Sequence, residues 1–109
     1  MDYEDRIAHN ETLFREVNER IEAGRWPTVP RGDPVAFRCE CGSLRCNMLV
    51  ETTVEEYEHV RASATHFLLA PGHEIPAIER VVEREADYVV VEKVGEAAQV
   101  AEETDPRDD

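Results

Sequence analysis

The N-terminal part of the chain has the hydrophobic spacing of an amphipathic helix. Between Glu4 and Ala23 the apolar side chains of four residues recur at helical period on one stripe, with Leu13 beside them: Ile7, Phe14, Val17 and Ile21. This spacing is typical of a helix that buries one face. Gly24 comes directly after the stripe, where helices commonly end, so the predicted helix stops there. A second start at Asn10 also fits the pattern.

The remaining apolar residues come in short runs between turns, which is typical of small antiparallel sheets. Residues 25–34 are rich in proline and glycine and predict a linker. Five strands are predicted after it: Val35–Arg38, Asn47–Thr52, Thr65–Ala70, Ile78–Arg84 and Tyr88–Val94. The first two strands form a ribbon across a tight turn, and the last two flank a polar turn as a hairpin. The continuous apolar run of the last strand places it near the sheet centre.

Two further helices are predicted. Thr53 and Glu56 have the spacing of a capping box, so a central helix begins there and runs to about Ser63. Its inner side carries Val54, Tyr57 and Val60. The alanine-rich stretch Gly95–Glu103 predicts a short C-terminal helix. Residues 104–109 are too polar to bury and are expected to be a disordered acidic tail.

These elements predict an α+β fold. A small antiparallel sheet, made of a ribbon and a hairpin, is combined with an N-terminal amphipathic helix, a central helix and a short C-terminal helix. The predicted organisation is an N-terminal helix at 1–24, a linker at 25–34, an α+β domain at 35–103 and the tail at 104–109. With 109 residues, of which 6% are aromatic, only a modest core can form.

The net charge of the chain limits the classes of partner that it is expected to bind. The formal net charge is −13 and the pI is about 4.6, which argues against nonspecific binding to nucleic acid or anionic membrane. The acid excess is uneven: residues 1–24 carry 7 acids and 3 bases, residues 25–73 carry 6 and 5, and residues 74–109 carry 12 and 4. No apolar run is long enough to span a bilayer, and the first residues lack the pattern of a signal peptide. A cytoplasmic protein is therefore expected.

All three cysteines lie in one turn, RCECGSLRC at residues 38–46. In a reducing compartment, such an odd and close set indicates metal binding before disulfides. Cys39, Cys41 and Cys46 would supply three thiolates of a four-coordinate zinc site, and Gly42 lets backbone amides approach the sulfur atoms. Such a site would make residues 35–103 a zinc-stabilised domain built on a zinc-stabilised sheet, and its metal crosslink would add stability that matters for a modest core. Their C-x-C-G-x3-C spacing differs from the commoner C-x2-C pair. A redox-active dithiol stays open as an alternative.

The fourth ligand must come from another segment. His73 is preferred among the four histidines because it lies in a tight turn directly after a glycine. His66 and His59 are alternatives, whereas His9 lies on the distant N-terminal helix. Glu40, Glu74 or a water molecule are minor alternatives. A water ligand would allow catalysis with Glu74 as general base, although three thiolates make zinc a weak Lewis acid.

The stretches FRCECGSLRC, VEEYEHVRA, HFLLAPGHE and VVVEKVGEAAQVAEETDPR together resemble a family of small uncharacterised zinc-binding-like proteins of actinobacteria. The resemblance runs from about Asn10 to Arg107. It implies that the N-terminal helix, the cysteine turn, the P-G-H turn and the C-terminal segment belong to one unit. It also supports grouping Cys39, Cys41 and Cys46 with His73. It implies no activity.

The preferred function is a non-enzymatic interaction or regulatory module with structural zinc, which acts on a protein partner or forms homo-oligomers through the N-terminal helix. A nucleic-acid-binding zinc ribbon is less favoured, because few basic residues lie near the cysteine turn in the sequence. They are Arg25, Arg31, Arg38, Arg45 and Arg61. An enzyme or redox sensor that uses zinc or a thiolate is the third possibility.

Overall fold

The fold consists of three helices and two small antiparallel sheets in a computed structural model that describes residues 3–25, 32–43, 45–105 and 107. The helices are α1 (Tyr3–Arg25), α2 (Val54–Arg61) and α3 (Gly95–Glu103). The strands are β1 (Pro34–Arg38), β2 (Leu49–Thr53), β3 (His66–Leu69), β4 (Glu79–Arg84) and β5 (Val89–Lys93). The predicted α+β class and the order of elements are confirmed.

The two sheets have the predicted pairing. Strands β1 and β2 form the ribbon, and the second sheet has the order β3-β5-β4, with the apolar strand β5 in the centre. Strands β4 and β5 form the hairpin, in which the register shifts between Val81 and Glu83 and leaves Val82 as a bulged, exposed residue. The backbone N–H of Glu40 donates to the carbonyl of Leu68 at 2.8 Å, so the end of the ribbon is tied directly to β3.

Helix α2 begins where the capping spacing predicted. The Thr53 hydroxyl accepts a hydrogen bond from the backbone N–H of Glu56 at 3.0 Å. The inward side chains of α2 are buried, and the Tyr57 ring stacks on Phe37 of β1 with 4.5 Å between ring centroids. The core between helix and sheets is formed mainly by aliphatic and aromatic side chains from β1, β2, α2, β3 and β5.

Helix α1 is continuous from Tyr3, so the second start at Asn10 is not used. Its buried face includes Ile7 and Phe14 as predicted, whereas Leu13 is 51% exposed. Three polar residues that the apolar stripe did not indicate are buried on the same face: Glu11, Arg15 and Asn18. The helix is therefore docked on its own domain largely through polar contacts.

Two of these polar residues reach distant parts of the chain. The guanidinium of Arg15 donates to the carbonyls of Ala64 at 2.7 Å and Ala101 at 2.9 Å. Glu11 and Glu79 both accept from the buried ammonium of Lys93. Burial raises the pKa of Glu11 to about 8, against the opposing effect of Lys93, so this carboxyl group carries a proton at neutral pH and the cluster is nearly neutral.

The described part of the C-terminal segment is tied to the helices, while the disorder of residues 104–109 as a whole stays a prediction. Asp105 accepts from Arg61 of α2. Arg107 pairs with carboxylates of both α1 and α2, namely Glu19, Glu22 and Glu58. The acidic helices thus supply the partners that hold this basic residue.

Residues 26–31 of the predicted linker, Trp26 among them, lie outside the described residues, so the division into four segments stays a prediction. None of the helices in the described part of the chain has the length and hydrophobicity needed to cross a membrane. The cytoplasmic location stays a prediction.

Candidate metal centre

The structure brings Cys39, Cys41, Cys46 and His73 together. Their potential ligand atoms all lie within 4.8 Å of one another. The cysteines come from the turn that joins β1 to β2, and the histidine comes from the turn after β3. Cys39 and Cys41 are buried, whereas Cys46 and His73 are half-buried. This group of four could hold a metal ion at the junction of the two sheets.

The distances within the group fit a small tetrahedral site. Nδ1 of His73 lies 3.6 Å from Sγ of Cys39 and 3.5 Å from Sγ of Cys46. In a zinc tetrahedron with Zn–S bonds of about 2.3 Å and Zn–N bonds of about 2.0 to 2.1 Å, the edge from sulfur to nitrogen is about 3.6 Å. The ring nitrogen that faces the sulfur atoms is therefore Nδ1, and it needs little movement to become a ligand.

Backbone hydrogen bonds position the ligands. The N–H of Ala70 donates to Sγ of Cys39 at 3.1 Å, and the N–H of His73 donates to the carbonyl of Ala70 at 3.1 Å. The same short turn thus stabilises one sulfur and orients the histidine. Gly72 in this turn has φ +86° and Gly42 beside Cys41 has φ +81°, a conformation that L side chains rarely adopt. Glycine is required in both turns for this geometry.

The pKa values of the two buried thiols, Cys39 and Cys41, are shifted in opposite directions. A hydrogen bond from Cys39 lowers the pKa of Cys41 to about 4. Donation of that hydrogen bond, together with burial, raises the pKa of Cys39 well above its usual range. The pair thus holds a thiolate next to a thiol, and a bound cation would have to displace the remaining proton.

Among the described residues, the other candidate ligands lie in different contacts. His66 pairs with Glu92 at 3.3 Å, and His59 is exposed beside Glu83 at 3.8 Å. The carboxylate of Glu74 accepts from the backbone N–H of Gly72 at 3.0 Å. None of these side chains belongs to the group formed with the cysteines.

Glu40 lies between Cys39 and Cys41 and was a minor alternative for the fourth metal ligand. In the structure it has a different role. Its carboxylate is fully buried and accepts three hydrogen bonds, from Asn18 Nδ2 at 2.7 Å, Tyr57 Oη at 3.0 Å and the backbone N–H of Leu68 at 2.9 Å. Burial raises its pKa, and these three donors oppose the rise. Glu40 thus joins α1, α2 and β3 at the base of the cysteine turn. A polar residue alternating with two buried cysteines was the only sequence signal for this position.

Replacing Glu40 with glutamine is expected to destabilise the protein by about 1 to 3 kcal/mol. Every group that contacts the Glu40 carboxylate is a donor, so the amide nitrogen of the introduced glutamine would face another donor in a buried site. Urea unfolding measures the difference. The same change at exposed Glu51 on β2 is the control and should shift stability by less than about 0.5 kcal/mol. Equal effects at the two positions would contradict the role of Glu40.

The arginines near the turn do not form an open basic surface in the described part of the chain. The side chain of Arg61 is fully buried and bonded to Glu19 at 2.7 Å. Arg38 lies over the Phe14 ring at 3.7 Å, and Arg45 is exposed. The side chain of Arg25 and all of Arg31 lie outside the described residues. This arrangement gives little support to a nucleic-acid-binding ribbon.

Comparison of the chain with protein-family models, with curated proteins and with solved structures found no match. The resemblance to actinobacterial proteins stays a prediction, and function is therefore inferred from the geometry of the site.

Proposed function

We propose that Cys39, Cys41, Cys46 and His73 bind a structural zinc ion and that the protein is a non-enzymatic module that acts on a protein partner. The observation that carries the proposal is the close grouping of three sulfur atoms and one imidazole nitrogen, all within 4.8 Å. The residues come from two turns that are 27 or more positions apart in the chain. A metal ion would therefore crosslink the ribbon to the three-stranded sheet.

The donor set supports zinc and a structural role. Thiolates and imidazole suit zinc, whereas magnesium and calcium take oxygen ligands. Four protein ligands complete the tetrahedral shell of a structural site, whereas catalytic zinc keeps a position for water or substrate. The hydrogen bond from Ala70 to Cys39 supplies the kind of outer contact that stabilises a metal-bound thiolate.

A protein partner is supported by the surface next to the site. Met48 and Leu49, which follow the cysteine turn, are adjacent large apolar residues that are 48% and 63% exposed. The segment 25–73, which contains them, is also the least acidic of the three segments of the chain, with 6 acids and 5 bases. By contrast, Ile7 and Phe14 of α1 face the domain interior, so these two apolar residues of the helix are already packed within the chain.

The zinc site predicts that His73→Ala will weaken zinc binding by more than the roughly 10- to 100-fold that loss of an outer hydrogen-bond partner costs. Zinc affinity is measured by competition with a chromophoric chelator under reducing conditions. X-ray absorption of the unmodified protein should show one zinc with three sulfur ligands and one nitrogen ligand.

His66→Ala is the matched control, because His66 is also half-buried but pairs with Glu92. Its zinc affinity should equal that of the unmodified protein. Full affinity in His73→Ala would exclude His73 as a ligand. Failure of the reduced, unmodified protein to bind zinc would refute the proposed function as a whole.

A further inference from the structure

The cysteine turn is also part of the surface against which helix α1 packs. Asn10 donates from Nδ2 to the carbonyl of Gly42 at 2.8 Å. Gly42 packs so closely that a Cβ atom there would lie 2.8 Å from the carbonyl oxygen of Ile7 and 2.8 Å from Cγ of Glu11. The first half of α1 thus rests directly on the residue after Cys41.

Arg38 and Glu40, the residues on either side of Cys39, also contact α1. Asn18 of α1 donates to the carbonyl of Arg38 at 2.8 Å and accepts from its backbone N–H at 2.7 Å, and it also donates to Glu40. The guanidinium of Arg38 covers the Phe14 ring and donates to the carbonyl of Cys46 at 2.7 Å. The backbone that presents the sulfur atoms therefore also holds α1.

The second half of α1 contacts the turn through Asn18 but has further anchors elsewhere. Glu19 accepts from Arg61 of α2 at 2.7 Å and from Arg107 at 2.8 Å, and Glu22 accepts from Arg107 at 3.2 Å. The first half is tied outside the turn by Glu11 to Lys93 and by Thr12 to Thr104 at 2.9 Å, while its backbone at Ile7 packs directly on Gly42. Because this backbone contact lies in the first half, a disturbance of the cysteine turn should loosen residues 7–14 more than residues 15–25.

The thiolates differ in their access to solvent. Cys39 is 0% exposed and Cys41 is 3% exposed, whereas Cys46 is half-buried at the outer side of the group. Reactivity of a cysteine requires both thiolate character and exposure. Cys46 is thus the member of the group that a small oxidant reaches first.

We propose that Cys46 is an oxidation site for hydroperoxides, and that its oxidation opens the metal site and loosens the first half of α1. This inference rests on the proposed zinc site and adds a means of regulation to it. The signal would pass from the sulfur atom to the first half of the helix through Gly42, which contacts Ile7 and Asn10, and through Arg38, which contacts Phe14.

The chemistry is a two-electron oxidation. The Cys46 thiolate attacks one peroxide oxygen, the O–O bond breaks, and Cys46 sulfenic acid and hydroxide form with hydrogen peroxide as the oxidant. The thiolate of Cys39 or Cys41 then attacks the sulfur of the sulfenic acid, forms a disulfide and displaces a second hydroxide. Two protons convert the two hydroxides to water. Since two of the four donors are consumed, the remaining sulfur and His73 no longer hold zinc tightly.

The test treats the zinc-loaded full chain with hydrogen peroxide and follows three quantities. A chromophoric chelator is expected to detect about one zinc released per disulfide. Peptide mapping should find Cys46 in that disulfide. Hydrogen exchange by mass spectrometry should become at least about tenfold faster at residues 7–14, with a smaller change at 15–25. A thiol reductant and zinc should reverse all three.

Different failures are distinguishable. A protein that binds zinc but keeps it in peroxide, or that forms a disulfide without Cys46, would overturn the oxidation site. Zinc release with unchanged exchange at residues 7–14 would overturn the link to α1. Absence of zinc from the untreated, reduced protein would instead refute the proposed function.

Asn10→Ala tests the link without an oxidant and without a change in the cysteine turn. Loss of the hydrogen bond from Nδ2 to the carbonyl of Gly42 should accelerate exchange at residues 7–14 about threefold to tenfold in the reduced, zinc-loaded protein. Gln99→Ala is the control, because Gln99 is an exposed amide on α3 that pairs with Glu103. Equal acceleration in both variants, or acceleration in neither, would show that the contact between Asn10 and Gly42 does not hold α1.

Discussion

Removal of zinc from the zinc-loaded protein is expected to lower the free energy of unfolding by about 5 kcal/mol or more. Structural zinc in small domains binds with an apparent free energy of about 10 to 16 kcal/mol. We expect a smaller contribution to folding here, because the two sheets and the hydrogen bonds of Glu40 should persist in the metal-free protein. For a domain of this size, 1 kcal/mol corresponds to about 4 to 8 °C, so Tm should fall by about 20 °C or more. Calorimetry with and without a chelator measures this shift.

The response to added metals provides the control. Zinc should restore Tm, whereas magnesium should not, because three thiolates and an imidazole are poor ligands for magnesium. Cys41→Ser should behave like the chelated protein even when zinc is present. A metal-free protein with a Tm within about 4 °C of the zinc-loaded protein would contradict a structural role of the site.

Replacing Lys93 with methionine is expected to destabilise the protein by about 3 to 5 kcal/mol at neutral pH, because it leaves the carboxyl groups of Glu11 and Glu79 buried without their cation. Lys93 is 2% exposed and its ammonium also lies 5.0 Å from the centroid of the Phe67 ring. Lys93 opposes the effect of burial on Glu11, so its removal raises the pKa of Glu11 in the folded state above about 8. A carboxyl group whose pKa is raised by folding loses its contribution to stability as pH rises towards that pKa, and the penalty of the variant relative to the unmodified protein should therefore grow further above about pH 8.

Two other variants separate this effect from a general loss of charge. Glu11→Gln replaces a carboxyl group that is already protonated at neutral pH, and should cost less than about 1 kcal/mol. Arg80→Met removes a cation that is 68% exposed and pairs with Glu92, and should also cost less than about 1 kcal/mol. Urea unfolding of all three variants is the measurement. A Lys93→Met effect no greater than that of Arg80→Met would contradict the proposed cost of burying unpaired carboxyl groups.

The regular elements could be predicted because each has a local signal. The alternation or continuity of apolar residues specified the strands, and the Thr53 hydroxyl specified the start of α2. The central position of β5 followed from its unbroken run Val89–Val91, since a strand covered on both faces needs no polar side. In each case the residues that determine the element lie within it.

The polar interior could not be predicted from the sequence. Lys93 and Glu11 are 82 positions apart, and Arg15 and Ala101 are 86 apart. Charged residues are usually exposed, and their burial depends on partners that only the tertiary structure brings together. The hydrophobic stripe of α1 therefore indicated the right helix but an incomplete buried face.

The metal-ligand candidates were easier to recognise. Three cysteines in one turn are a strong local pattern, and a glycine before His73 suggested a turn that could reach them. The function of Glu40 was not accessible in the same way, because its three donors come from α1, α2 and β3. The chemical identity of cysteine pointed to the candidate sulfur ligands, whereas the hydrogen bonds that hold their turn depend on packing between distant elements.

The long-range ties of α1 also constrain when the protein can complete its fold during synthesis. Helix α1 leaves the ribosome before Lys93, Asp105 and Arg107, which join it or its neighbours to the rest of the domain. Until these residues follow, Glu11 on the buried face of α1 lacks its partner Lys93, and Arg15 lacks one of its two carbonyl partners, that of Ala101. Final docking of the helix must therefore follow translation of residues 93–107, and we expect α1 of the nascent chain to stay exposed to solvent during that interval.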